Sequence, residues 1–331
     1  MHIAGTATVD AAPLTKPDGS IDIELIRSYI DSRLHLIPRY RQVLKQGWFQ
    51  SSPIWVDYKY FNIHYHVRHA ALPKPGDERQ LKRLAARIMS QHLDRGKPLW
   101  ETWIVEGLDG GERIAMISKI HHCMVDGVSS VDLLNVLLTP QPVDEFEPGP
   151  TYLPRPAPTE TDLLWETAKT LASLPFDIGK NLTDTINQIR DPRSDIRSRF
   201  RALRGMLSNR IVPSTTPLNK PVGPHRRFDW FAMSLEDIKR VKNGLGGTVN
   251  DVVLATVAGA VRRFLERRRV NCETLDFRVM APVSVRAQNE HGALGNRVSA
   301  WLVPMPLHEP DPRRRMAAIQ ETTSRLKESK Q

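Results

Sequence analysis

Residues 118–130 read SKIHHCMVDGVSS: an apolar run ends in two adjacent histidines, with an aspartate four residues past the second and a glycine directly behind it. Three chemistries compete for such a cluster. A metal site is the first. Neighbours on an extended chain face opposite sides, so His121 and His122 do not converge on one ion, and no HExxH or CxxC accompanies them. His64 and His66 in HYHVRH are better spaced, since they share one face of a strand, but a solvated surface pair is the simpler reading and no metal is expected. A nucleophilic Cys123 is the second chemistry, yet a strand turns it away from His122, and cysteine is commonly a small buried hydrophobe. No G-x-S-x-G elbow supports a serine hydrolase. The third is general-base catalysis without a protein nucleophile. A neutral imidazole takes the proton of an alcohol or amine as it attacks an activated acyl group, worth about 10²–10⁴-fold in rate. One histidine faces the substrate, and the other packs or hydrogen-bonds in the wall. Asp126 orients the loop through an internal ion pair, and Gly127 permits a tight turn.

The elements that must hold this cluster alternate. HIAGTATV reads as a strand, and Ile26, Ile30, Leu34 and Ile37 recur at helical spacing. WVDYKYFNIHYHV is aromatic and β-branched and reads as extended. Leu81, Leu84, Ala85, Ile88 and His92 mark one face of a second helix. WETWIVEGL and RIAMISKI form two strands joined at DGGE, and a helix, GVSSVDLLNVLL, follows the histidines. Residues 139–160 hold seven prolines and read as linker. Beyond it, Ile196, Phe200, Leu203 and Leu207 alternate with four arginines in a basic amphipathic helix that bridges lobes or touches a membrane. RFDWFAM is expected as a strand. SLEDIKRVKNGLG and TVNDVVLATVAGAVRRFLERRR read as helices, the second with Val249, Val252, Val253, Val257, Ala260 and Phe264 inward. Two more strands and a last helix close the chain. The reading is α/β, with an N-terminal lobe at 1–138, a Pro-rich linker and bridging helices at 139–224, and a C-terminal lobe at 225–331.

Composition bounds the partners. With 47 Lys+Arg against 37 Asp+Glu, the net charge of +10 suits an anionic partner: a phosphorylated cofactor, anionic lipid or nucleic acid. No nucleic-acid-binding motif supports the last. No apolar stretch approaches the ~20 residues that span a bilayer, and no secretory signal is visible. Cys123 and Cys272 make no disulfide framework, which fits a reducing cytoplasm.

HHCMVDG is the HHxxxDG motif of the CoA-dependent acyltransferase superfamily. PLWE at 98–101, TPLNKPVGPHRRF at 216–228, NDVVLA at 250–255, MAPVSVR at 280–286 and LGNRVSAWLVPMPL at 294–307 narrow the likeness. In order along the whole chain they resemble the bacterial wax ester synthase/diacylglycerol acyltransferase family. The resemblance implies two chloramphenicol-acetyltransferase-like lobes of mixed sheets with flanking helices. It implies acyl transfer from acyl-CoA, as co-substrate rather than bound cofactor, to diacylglycerol or a long-chain alcohol without an acyl-enzyme. His122 is then the base, His121 its support, Asp126 an orienting group with Arg286 as its ion-pair partner, and Gly127 the turn. Pro98, Leu99 and Trp100 match a substrate-handling motif, although Trp100 reads equally as core. Asn250 and Asp251 match another, although TVND is locally a capping box, with Thr248 as cap. Asn296 is expected at the substrate passage. The family pattern runs on past the last helix, so the second lobe is expected to be incomplete. Peripheral contact with an anionic inner membrane or lipid inclusions follows from the resemblance and the charge. The rivals are a related enzyme with another acceptor and a non-catalytic lipid-binding fragment.

Overall fold

The computed structural model describes residues 2–46, 53–124, 136–139, 143, 145–159, 161–165, 214, 216–284 and 298–328. The chain divides into two compact units, Met1–Arg190 with Pro224–Asp229, and Asp191–Gly223 with Trp230–Gln331.

In the first unit, four strands form one sheet in the order β1 (His2–Asp10), β6 (Arg113–His121), β5 (Trp100–Leu108), β4 (Val67–Ala71). β1 and β5 run antiparallel to β6, and β4 runs parallel to β5. The β5–β6 hairpin turns at Asp109–Gly111, where Gly110 and Gly111 take φ of 74° and 106°. That is the left-handed region a glycine enters without a Cβ penalty. Alternation then sorts the two faces. Trp100, Ile104 and Ile114 join Val67 and, from the region of helix α1 (Ile23–Arg33), Ile30, Leu34 and Ile37 in one apolar cluster. On the other face, helix α3 (Glu78–Ser90) packs against β1 and β6 and buries Leu81, Ala85 and Ile88. Asp77 caps α3 in a complete capping box with Gln80. The helix stops at Ser90, because Gln91 turns to extended backbone, so His92 lies past the helix instead of on its face.

The aromatic segment expected to be extended is broken. It holds β3 (Ile54–Asp57), paired with β2 (Gln42–Lys45), then the single-turn helix α2 (Ile63–His66), then β4. Asn62 caps that turn by accepting from His64 N–H. His64 is exposed and His66 buried, so the two share no face.

Residues 145–158 form no helix or strand, as their prolines require. Within the first unit they pack against α1 and the β2–β3 pair. Phe146 meets Tyr29 edge to face, the Tyr152 hydroxyl donates to the Arg41 carbonyl at 3.0 Å, and Lys45 Nζ donates to the Pro158 carbonyl at 3.0 Å. Gly149 lies so close to the α1 backbone that a Cβ would sit 2.8 Å from the Ser32 carbonyl oxygen.

The second unit holds α4 (Leu235–Leu245), α5 (Val249–Arg267), the antiparallel pair β7 (Arg278–Ser284) and β8 (Val298–Pro304), and α6 (Pro312–Glu328). Ala258, Leu265, Cys272, Val303, Met305, Leu307 and Ile319 form its core. Two expectations fail here. RFDWFAM is not a strand: its backbone has no ladder partner among the described residues, and alternation without a partner makes no sheet. On α5 the buried positions are Asp251, Val252, Ala258, Gly259 and Leu265, whereas Val249, Val253, Val257 and Ala260 are exposed. The inward stripe of an apolar helix is chosen by its neighbours, here α4 and α6, and several stripes on α5 are apolar enough to serve.

Candidate functional site

The histidine pair sits where β6 ends. His121 is its last residue, and His122 opens a 3₁₀ turn through Met124. The strand start of the PLW segment lies directly alongside, since His121 N–H donates to the Leu99 carbonyl at 2.9 Å and Trp100 pairs with Ile120. Two motifs twenty residues apart are thus adjacent rungs of one ladder.

The two imidazoles have different surroundings. His121 shares the sheet face of Lys119 and Ile117, toward α3. Its ring meets His2 at 5.6 Å, and His2 in turn meets His92 at 5.7 Å. Cys123 N–H lies 3.2 Å from His121 Nδ1 and can only donate, so Nδ1 is an acceptor and Nε2 carries the proton of the neutral ring. The Cys123 thiol donates to the same Nδ1 at 3.0 Å. Burial holds His121 below the usual histidine range, with the Arg95 charge adding to the effect, and burial likewise lowers His2 to about 4. Desolvation pushes the Cys123 thiol up, away from the thiolate a nucleophile needs. His122 is exposed. One imidazole is therefore fixed in tautomer and partners, and its neighbour is open to a reactant. Asp126 and Gly127 lie outside the described residues, as do Arg286 and Asn296.

Pro98, Leu99 and Trp100 are all buried, Trp100 to 1% exposure. Its indole lies between Tyr40 at 4.3 Å and His66 at 4.6 Å, both stacked, and Phe61 stacks on the far side of His66 at 5.2 Å. The column is pinned at both polar ends of the indole strand. Trp100 Nε1–H donates to the Tyr40 carbonyl, and His66 Nδ1–H donates to the Trp100 carbonyl, each at 2.8 Å. Burial lowers His66 to about 4, against the opposing pull of that carbonyl. A neutral His66 is thus part of the packing that sets where β5 begins.

Beneath the corner lies a pair the sequence reading missed. Lys119, fully buried, donates to Glu101 Oε1 at 2.7 Å and to the Ile88 carbonyl at 2.9 Å, and Arg68 stands 3.6 Å from the other Glu101 oxygen. Glu101 and Lys119 are direct partners across β5 and β6. A lysine at the inward phase of an otherwise apolar strand was the available signal. His2 carried none, because only the β1–β6 register brings it to His121.

Asp251 is 3% exposed and forms the capping box of α5. Its Oδ2 accepts from Thr248 N–H at 2.7 Å and from the Thr248 hydroxyl at 2.8 Å, and its Oδ1 accepts from Thr323 of α6 at 2.8 Å. Burial pushes its carboxyl up, and these hydrogen bonds outweigh that and hold it below the usual range. Asn250 is exposed on the first turn.

Solved structures share this fold. The first condensation domain of the calcium-dependent antibiotic synthetase is 16% identical, with a TM-score of 0.54 over 99% of this chain and 70% of its own. The wax ester synthase/diacylglycerol acyltransferase from Marinobacter aquaeolei VT8 is 25% identical, with a TM-score of 0.63 over 99% of this chain and 68% of its own. The fold is the two-lobed mixed α/β architecture that condensation domains and chloramphenicol acetyltransferase have in common. Residues 1–253 match the wax ester synthase/diacylglycerol acyltransferase catalytic domain and residues 294–331 the WS/DGAT C-terminal domain, so the chain belongs to the WS/DGAT family. Two relatives from Mycobacterium tuberculosis H37Rv, both named as diacylglycerol O-acyltransferases, are 37% identical over 77% of this chain and 32% identical over 100% of it. The chain spans about half the length of the first (53%) and 68% of the second.

Proposed function

We propose that this protein transfers a fatty acyl group from acyl-CoA to the hydroxyl of diacylglycerol or a long-chain alcohol. The observation that carries the reading is the asymmetry of the histidine pair: His121 is engaged through Nδ1, and His122 is exposed at the strand end. In this reading the neutral His122 ring accepts the acceptor's hydroxyl proton while that oxygen bonds to the thioester carbonyl carbon. The carbon–sulfur bond breaks, and the proton passes to the CoA sulfur. No acyl-enzyme forms and no bound cofactor takes part. Asp126, with Arg286, orients the loop behind the base, and Asn296 borders the substrate passage. The acceptors are bilayer lipids, so the protein works in peripheral contact with an anionic inner membrane or lipid inclusion. Among the described residues no single helix is long and apolar enough to cross a membrane.

The test is a transfer assay with radiolabelled acyl-CoA and a panel of diacylglycerol, hexadecanol and short polar alcohols and amines. Labelled triacylglycerol or wax ester is the expected product. Preference for a short polar acceptor, or no transfer from a folded preparation, contradicts the reading.

A further inference from the structure

One face of α3 does nothing for the site described above. Its buried side holds Leu81, Ala85 and Ile88, and its opposite side presents Arg79, Arg83 and Arg87, all exposed. At a spacing of four residues they form one stripe, about 12 Å long at 1.5 Å per residue. The segment Arg226–Asp229 runs alongside, within the same compact unit. Arg226 N–H is fixed to the Ser90 hydroxyl at 2.9 Å, and Lys82 bridges Asp229 and Glu78. Between helix and segment lies a groove of about 880 Å³, lined by six basic side chains against two acidic ones. Both acids are already held by Lys82. The guanidinium groups of Arg79, Arg83, Arg87 and Arg227 make no hydrogen bond or ion pair among the described residues.

Uncompensated guanidinium groups side by side repel one another, and nothing inside the fold requires them there. Their planar forks match phosphate oxygens bidentately. Phe228, partly exposed, lines the same groove and adds an aromatic ring of the kind that settles at the headgroup level. We propose that this groove docks the protein on a bilayer by binding the phosphates of anionic lipid headgroups. The inference rests on the peripheral contact proposed above and assigns it to the α3 face. Its charge complementarity to a layer of phosphates is what selects a membrane surface as the occupant.

Flotation with phosphatidylcholine vesicles, with and without phosphatidylglycerol, tests it on the full chain. Wild-type protein is expected to float only with the anionic vesicles, and less as salt is raised. Arg79→Gln/Arg83→Gln/Arg87→Gln is expected to lower the vesicle affinity roughly 100-fold, about five-fold per charge. A control, Lys239→Gln/Arg313→Gln/Arg314→Gln, removes as much charge elsewhere and is expected to change it little. Unchanged flotation of the α3 variant, or an equal loss in both variants, overturns the groove assignment. So does a variant that keeps vesicle binding but loses calorimetric binding of soluble 3′,5′-ADP. Wild-type protein that ignores anionic vesicles altogether overturns the peripheral contact itself, whatever the transfer assay shows.

Discussion

His66 shows how much of this corner depends on a ring kept neutral. Its imidazole is 1% exposed between Trp100 and Phe61, and its value of about 4 lies below the 6.5 of the unfolded chain. The unfolded state therefore binds more protons between those two values. The contribution to stability is intact above about 6.5 and is lost as the pH falls toward about 4, on the order of 3 kcal/mol in all. His2, also lowered to about 4, acts in the same direction and window. Urea unfolding at neutral pH and near pH 4.5 measures this, and His66→Phe, which keeps a ring in the stack, is expected to flatten the profile. An unaltered slope in the variant would assign the pH dependence elsewhere.

At the scale of elements, the site depends on where strands and helices are pinned. Lys119 and Glu101 hold β5 against β6 two rungs from His121, while Lys119 also reaches α3. Removing Lys119 leaves the buried Glu101 carboxylate with only the longer Arg68 pair, so Lys119→Met is expected to cost about 3 kcal/mol. Lys119→Met/Glu101→Leu should recover much of that, as measured by thermal unfolding with a double-mutant cycle. Asp251→Ala removes the N3 half of the α5 capping box and the acceptor of the Thr323 hydrogen bond across to α6, for an expected loss of about 2 kcal/mol in the same assay. Strands β1, β5 and β6 and the capping box of α5 were legible, because alternation and cap chemistry are local. The short helix at Ile63–His66 was not, because an asparagine cap made one turn inside a β-favouring run. RFDWFAM misled for the converse reason: its residues suit a strand, and pairing is a property of the partner. The stack around Trp100 and the meeting of His2 with His121 depend on long-range register that no local pattern carries. The histidine motif itself was plain as a pattern of residue types, but its backbone was not: His121 ends β6 and His122 lies in the 3₁₀ turn that follows, so strand alternation does not set the two rings apart.

For the whole molecule, the net charge of +10 has a local counterpart in the α3 groove, and family membership covers most of the chain. The proposed chemistry is narrower: it requires the exposed His122 imidazole, just past the end of β6, to accept the proton while His121 holds the corner together. The direct measurement is kcat/KM for acyl transfer by His122→Ala and His121→Ala, each alongside its thermal midpoint. His122→Ala is expected to lose at least about 100-fold in rate at an unchanged midpoint, because an exposed ring contributes catalysis and little packing. His121→Ala is expected to lower the midpoint, because it removes the acceptor for Cys123. Near-normal turnover by His122→Ala would contradict the account.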